Sequence, residues 1–230
     1  EYKPDLTFDD ITEDFLNCYL HYLKKTRGMQ DNTAYKKMGV IKKYVRAAYR
    51  EGYMTIDPFQ NFRVKKSKST TFCYLTEEEV QKLYDYYKSP DINERDYYVL
   101  QFFLWMVFSS QHISDARKTK IEDIYSEHLH YYRTKLRNSK PMLLRIPVSQ
   151  PLQNLYNDAR ENRTKGYLFR HIPSDQKVNK RLKTIAVDAG INKPITAKTG
   201  RHTFATFFLA KTQQLTTLKE LLGHTHIEET

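Results

Sequence analysis

One stretch near the end constrains the chain most: Lys198-Thr199-Gly200-Arg201-His202-Thr203, continuing through an apolar run to Leu221-Leu222-Gly223-His224. Phe204, Phe207 and Phe208, then Leu215, Leu218, Leu221 and Leu222, recur at three- and four-residue spacing. That period predicts two consecutive helices with these side chains on their buried faces. The polar Thr212-Gln213-Gln214 between them reads as a turn. Gly223 accepts the left-handed backbone that ends a helix, so His224 falls just past a helix end. Folded back as a hairpin, the pair would carry Arg201, near the start of the first helix, towards His224. A guanidinium and an imidazole converging there suit an anionic oxygen. Apart, His202 and His224 are ordinary capping or packing residues.

Composition narrows the partner. A chain of 230 residues is one domain or two and can bury a real core. Its net charge of +11 favours polyanions, with nucleic acid ahead of an anionic membrane. No long apolar run, signal peptide or basic amphipathic anchor supports a membrane. Cys18 and Cys73 are the only cysteines and lack metal-ligand or CxxC spacing, so neither a structural metal nor a disulfide framework is expected.

Taken in order, Leu6 to Lys25 reads as a capped amphipathic helix, with Thr7 and Asp9-Asp10 before Ile11 and Gly28 after it. A second helix opens at Asn32-Thr33 and runs to Arg50. Its polar face carries Lys36, Lys42, Lys43 and Arg46, which with Lys24 and Lys25 form a basic cluster suited to phosphates, or else a solvated face. Arg63 to Thr71, including Lys65 and Lys66, has no apolar periodicity. We place a linker over 67–72, between a helical domain over 1–66 and a second domain over 73–230.

Thr76 and Glu79 form a capping box at the start of the second domain. Asp96 to Val107 is strongly apolar and reads as its buried central helix. His128 to Lys135 and Met142 to Val148 flank Arg137-Asn138-Ser139-Lys140-Pro141 and predict a β-hairpin. Leu152 to Arg160 is another amphipathic helix. A further helix opens at Gln176, reaches Ala189 before Gly190, and has a basic face with Lys177 and Lys180. The fold class is mainly α with a small hairpin or sheet: a helical domain followed by a mixed α+β one.

With Lys198, Arg201 and Leu221-Leu222-Gly223-His224 in this order, the chain resembles the tyrosine recombinase, or phage integrase, family, of the type carried by mobile elements in Bacteroides. Asn32-Thr33, Tyr35, Gly52-Tyr53-Met54 and Asp57-Pro58-Phe59 resemble its SAM-like core-binding domain, which implies DNA contact by the basic face. The remainder resembles its catalytic domain. Phe108 to Ala116 falls where the family has Thr-Gly-Leu-Arg-Ile-Ser-Glu/Asp, so His112 stands at the position of the first catalytic arginine and Asp115 at the acidic position. An imidazole lacks the fork and permanent charge of a guanidinium. Either His112 serves, or neighbouring Arg117 reaches in, or the site works with one arginine fewer. The family's hairpin lysine corresponds to Lys135, with Lys140 as the other candidate.

The resemblance implies site-specific DNA recombination or integration by strand cleavage and rejoining through a 3′-phosphotyrosyl intermediate. A covalent intermediate keeps the bond energy, so no nucleotide cofactor or metal is expected. Arg201 would neutralise the phosphorane and Lys135 protonate the leaving oxygen, with Lys198 and His224 as proton-transfer or hydrogen-bonding partners. Duplex DNA is the implied partner, contacted also by Arg137, Lys140, Lys177 and Lys180, with assembly into a tetramer on paired sites. The implied location is the bacterial cytoplasm, at the nucleoid. The family's nucleophilic tyrosine follows Leu-Gly-His by about nine residues, which puts it beyond Thr230 and makes this chain DNA-binding without cleavage as it stands. Two other readings remain: a catalytically degenerate DNA-binding module, favoured by His112, and a type IB topoisomerase-like enzyme.

Overall fold

The computed structural model describes residues 3–65, 67, 72–125, 127–133, 142–224 and 227. The chain divides into two compact units, 1–70 and 71–230, each with its own core. The proposed linker falls almost wholly outside the described residues.

In the first unit, α1 (Glu13–His21) starts at Thr12, whose hydroxyl accepts the Phe15 amide at 3.2 Å. The helix starts later than the sequence suggests, because Thr7 donates its amide and hydroxyl to Asp10 at 2.9 and 2.8 Å and closes a separate turn. A wider π-turn, Tyr22–Thr26, follows and breaks at Gly28. Helix α2 (Asp31–Arg50) begins one residue before Asn32-Thr33, with its cap at Gln30, since the Gln30 carbonyl already receives the Thr33 and Ala34 amides. Leu16, Leu23, Met38, Val45, Phe59 and Phe62 close the core between α1, α2 and the segment after them.

The second unit is built on α4 (Glu94–Ser109), which is buried on every side through its middle turns. Phe102, Phe103, Leu104, Trp105 and Met106 are wholly buried, each contributing about 1.5–3 kcal/mol. Such all-round burial needs neighbours on all sides. They are α3 (Glu77–Lys88), α6 (Gln150–Arg160), α7 (Asp175–Asp188) and α8 (Ala197–Thr212). The polar groups that α4 buries are paired: Asp96 with Arg181 at 2.6 Å, and the Trp105 indole N–H with the Gln111 side-chain carbonyl at 2.6 Å. Helix α3 carries the expected capping box between Thr76 and Glu79.

After α4 the chain makes the short α5 (Ile113–Ala116) and then β1 (Ile124–Tyr125), β2 (His128–Arg133) and β3 (Met142–Pro147). These form one antiparallel sheet in the order β1-β2-β3, with Leu129 opposite Ile146 and Arg133 opposite Met142. The hairpin is the expected one; β1 adds a third strand that two residues could not announce. The unit ends in the antiparallel pair α8 and α9 (Leu215–Leu222), joined through Gln213, whose φ of 55° is left-handed.

The buried face of α8 differs from the expectation. Its buried residues are Ala197, Thr199, Gly200 and Thr203, while Phe204, Phe207 and Phe208 are half-buried and Leu215 on α9 is exposed. The reason is close approach. A Cβ on Gly200 would stand 3.3 Å from both Met106 Cβ and the Val107 amide nitrogen, so α8 meets α4 through small side chains. Thr203 is satisfied there by donating to the Thr199 carbonyl at 2.8 Å and accepting the Leu75 amide at 3.0 Å.

Candidate active site

The Gly200 contact fixes where Arg201 arrives. Helix α8 opens at Thr196, and its first amide, that of Ala197, is taken by the Asn179 side-chain carbonyl on α7 at 2.9 Å. Pressed against α4, the helix sets Arg201 beside the end of α4, where Ser110 takes a left-handed turn at φ 58°. Arg201 Nη1 donates to the Ser110 carbonyl at 2.7 Å. Its Nη2 donates to the Leu222 carbonyl at 2.5 Å and to His224 Nε2 at 3.0 Å.

His224 is delivered by the end of α9. Gly223, at φ 62°, lets the Gly223 and His224 amides fold back onto the Glu220 and Lys219 carbonyls at 2.9 and 3.0 Å. The hairpin and the meeting of Arg201 with His224 are thus as the sequence suggests. A guanidinium can only donate, so Nε2 is the acceptor and the proton of neutral His224 sits on Nδ1. The carbonyl ends of α4 and α9 both face this point, and their partial negative charge steadies the buried cation. Burial pushes the Arg201 pKa down to about 10; Tyr131 and Asp115 raise it against that, and Arg133 lowers it further.

Asp115 is buried on α5, within electrostatic reach of Arg201 and Tyr131. The Tyr131 hydroxyl meets no partner in regular hydrogen-bonding geometry among the described residues, and burial pushes its pKa up to about 12. His112 caps α5: its Nδ1 accepts the Ser114 amide at 3.3 Å and lies 2.9 Å from the Ser114 hydroxyl. Arg117 does not reach in. Its guanidinium donates to Asp175 at 2.9 Å, to the Ile172 carbonyl at 3.1 Å and to the Pro173 carbonyl. Lys198 is exposed three residues before Arg201, and its charge, after burial, helps hold His202 below the ordinary histidine value. Lys135, Arg137 and Lys140 lie outside the described residues.

One residue the sequence reading passed over stands in the cluster. Arg133, the last residue of β2, donates Nη1 to the Leu222 carbonyl at 2.6 Å and to the Gly223 carbonyl. The available signal was the strand alternation, since Leu129 and Tyr131 are buried and Arg133 continues their side of β2.

Of the basic residues, Lys24, Lys25, Lys36, Lys43, Arg46 and Lys65 are exposed and Lys42 is half-buried in the first unit. Several are engaged: Lys24 with Asp31 at 2.8 Å, Arg46 with Asp57 at 3.2 Å, and Lys42 over the Phe59 ring at 5.7 Å. Lys36, Lys42, Lys43 and Arg46 fall on one side of α2 by helical spacing. In the second unit Lys177 and Lys180 are exposed on α7, three residues apart. Lys66 lies outside the described residues. Among the described residues no three or more His, Cys, Asp or Glu side chains gather as a metal site, and no helix is long and apolar enough to cross a membrane.

A left-handed turn after α4 and the α8–α9 hairpin thus bring Arg201 and His224 together beside a small antiparallel sheet, an arrangement of the integrase type. Residues 73–230 match the phage integrase family and residues 1–67 the phage integrase SAM-like domain. The chain belongs to the phage integrase family, the tyrosine recombinases. Tyrosine recombinase XerC of Chlamydia trachomatis serovar L2 is 24% identical over 238 residues, covering 99% of this chain and 74% of the relative. A tyrosine recombinase of Pseudothermotoga lettingae is 22% identical, covering 99% and 79%. In fold, the chain is similar to a lambda integrase dimer bound to a core site, with a TM-score of 0.75, 19% identity, and coverage of 97% and 80%. It is also similar to XerH recombinase in a post-cleavage complex on a difH substrate, with a TM-score of 0.72, 18% identity, and coverage of 96% and 68%.

Proposed function

We propose that the protein is a site-specific recombinase that cuts and rejoins duplex DNA through a 3′-phosphotyrosyl intermediate. In the forward step a tyrosine oxygen bonds to phosphorus as the bond from phosphorus to the 5′ oxygen breaks. Lys135, or else Lys140, gives a proton to the departing 5′ oxygen, and the tyrosine proton leaves towards His224 or Lys198. The reverse step, with a 5′-hydroxyl from the partner strand, restores every bond and proton, so no cofactor takes part. The tyrosine is expected a few residues after Thr230, at the family's spacing from His224. Asp115 buttresses the site, and His112 stands at the position of the family's first arginine with its Nδ1 taken up by the cap of α5.

The observation that carries this reading is the contact of Arg201 with His224 at 3.0 Å on a floor of helix-terminal carbonyls. It brings together the guanidinium and the imidazole that this reading assigns to the charge of a phosphorane. The helical unit over 1–66 serves as the core-binding domain, and the basic sides of α2 and α7, with Lys65, Lys66 and Arg137, follow the DNA backbone. The related lambda integrase is known as a tetramer on a Holliday junction, and the same assembly on paired sites is proposed for this protein.

The test is covalent adduct formation by the full gene product on a nicked suicide duplex carrying its footprinted site, read on a denaturing gel. Arg201→Lys should bind the duplex within a few-fold of the parent yet form adduct at least about 100-fold more slowly. Adduct at the parental rate from Arg201→Lys sinks the assignment.

A further inference from the structure

We propose that Arg133 supplies the second guanidinium of the phosphate site, standing in from strand β2 for the arginine that His112 replaces on the loop before α5. The proposal rests on the recombinase reading and names the residue that completes its charge.

The placement follows from local structure. Along β2, Leu129 and Tyr131 turn inward, and Arg133 is next on that side. Its side chain therefore runs under the end of α9 rather than into solvent. The absence of a side chain at Gly223 opens that route: a Cβ there would stand 3.0 Å from Arg133 Cδ and 3.3 Å from its Nη1. The Leu222 carbonyl oxygen then receives Arg133 Nη1 at 2.6 Å and Arg201 Nη2 at 2.5 Å. One neutral oxygen shared by two cations holds the guanidinium groups side by side.

That pairing is undercompensated without a further anion. The acceptors within hydrogen-bond distance of the two groups are carbonyl oxygens and the His224 ring, which bear only partial charge, and Asp115, within electrostatic reach of Arg201, sets one carboxylate against two cations. Each cation disfavours the other, and Arg133 contributes to the lowered proton affinity of Arg201. The Arg133 Nε is buried with no hydrogen-bond partner among the described residues, so a strong donor is left over at the site. A phosphate with two charged non-bridging oxygens answers all three features: it separates the cations electrostatically, takes the spare donor, and suits planar forks. His112 cannot match this, because one of its ring nitrogens is committed to the cap of α5.

The experiment uses the full gene product, the same suicide duplex, and a binding assay and melting curve for each variant. Arg133→Ala should form adduct about 100- to 1000-fold more slowly while binding the duplex within a few-fold of the parent. Adding His112→Arg to that variant should recover at least about ten-fold, because a guanidinium on the loop can reach the same phosphate. A purely structural Arg133 would not be rescued from a different element. Should Arg133→Ala be poorly folded, Arg133→Lys takes its place, with the same slow adduct and the same rescue expected. Adduct formation within three-fold of the parent by either variant, while Arg201→Lys is inactive, overturns this proposal and leaves the recombinase reading standing. So does a folded but slow variant that His112→Arg does not improve. A parent that forms no adduct overturns the reading itself, and this inference with it.

Discussion

Replacing Gly223 by alanine tests whether the turn after α9 also serves as packing for the site. Two costs are separable there. The backbone stands at φ 62°, where a side chain loses roughly 1–2 kcal/mol. The added Cβ would also lie 2.9 Å from Leu144 Cδ1 and 3.0 Å from Arg133 Cδ, contacts too short to persist, and overpacking of this kind adds roughly 1–3 kcal/mol. Gly190 provides the comparison, since its φ is 68° and nothing lies within 4 Å of an added Cβ. Urea unfolding of the two variants should therefore show a loss of about 1–2 kcal/mol for Gly190→Ala and about 2–5 kcal/mol for Gly223→Ala. Gly223→Ala should also slow adduct formation in the full gene product, because Arg133 must shift and the Leu222 carbonyl with it. Equal losses in the two variants would mean that Gly223 serves the turn alone, and the packing argument would fail.

Burial, with the charges of Lys198 and Arg201, holds His202 below the ordinary histidine value of 6.5, so the unfolded chain takes up a proton that the folded one resists. Stability should therefore rise with pH through this range and be lost as pH falls below 6.5, and His202→Gln should flatten that slope in urea titrations; an unchanged slope rejects it. Arg117→Gln should lower stability by about 1–3 kcal/mol by releasing the Ile172 and Pro173 carbonyls and Asp175, yet leave adduct formation near the parental rate. A cleavage defect larger than its binding defect would return Arg117 to the site. If about six phosphates are contacted, log K against log salt should slope by roughly −5 in a filter-binding titration, and a flat response removes the basic faces from the interface.

Periodicity carried most of the fold. The apolar block in α4, the Thr76 and Glu79 capping box and the α8–α9 hairpin were all readable, because each is a local pattern with a local cause. What escaped depended on distant partners. The phenylalanines of α8 looked like its buried face, but Gly200 decides that face by admitting α4, and nothing near Gly200 in sequence reports Met106. Thr12 and Gln30, rather than Thr7 and Asn32, begin α1 and α2, because competing side-chain and backbone acceptors shift a start by a few residues.

The site divides the same way. Arg201 and His224 were legible since both sit at helix ends whose signals lie beside them. Arg133 was not, because a motif searched by position looks for a guanidinium at 112, whereas a phosphate responds to where the charge arrives in space. The sheet delivers that charge through an alternation of only three inward residues, too short to stand out from its exposed neighbours Tyr132 and Met142. Once the hairpin is in place, however, the geometry is demanding: Arg133 and Arg201 converge on Leu222 from β2 and α8, and both depend on the turn at Gly223. A substitution in that turn should thus act on both arginines together, whereas His112, fixed to α5 by its own cap, should be affected least.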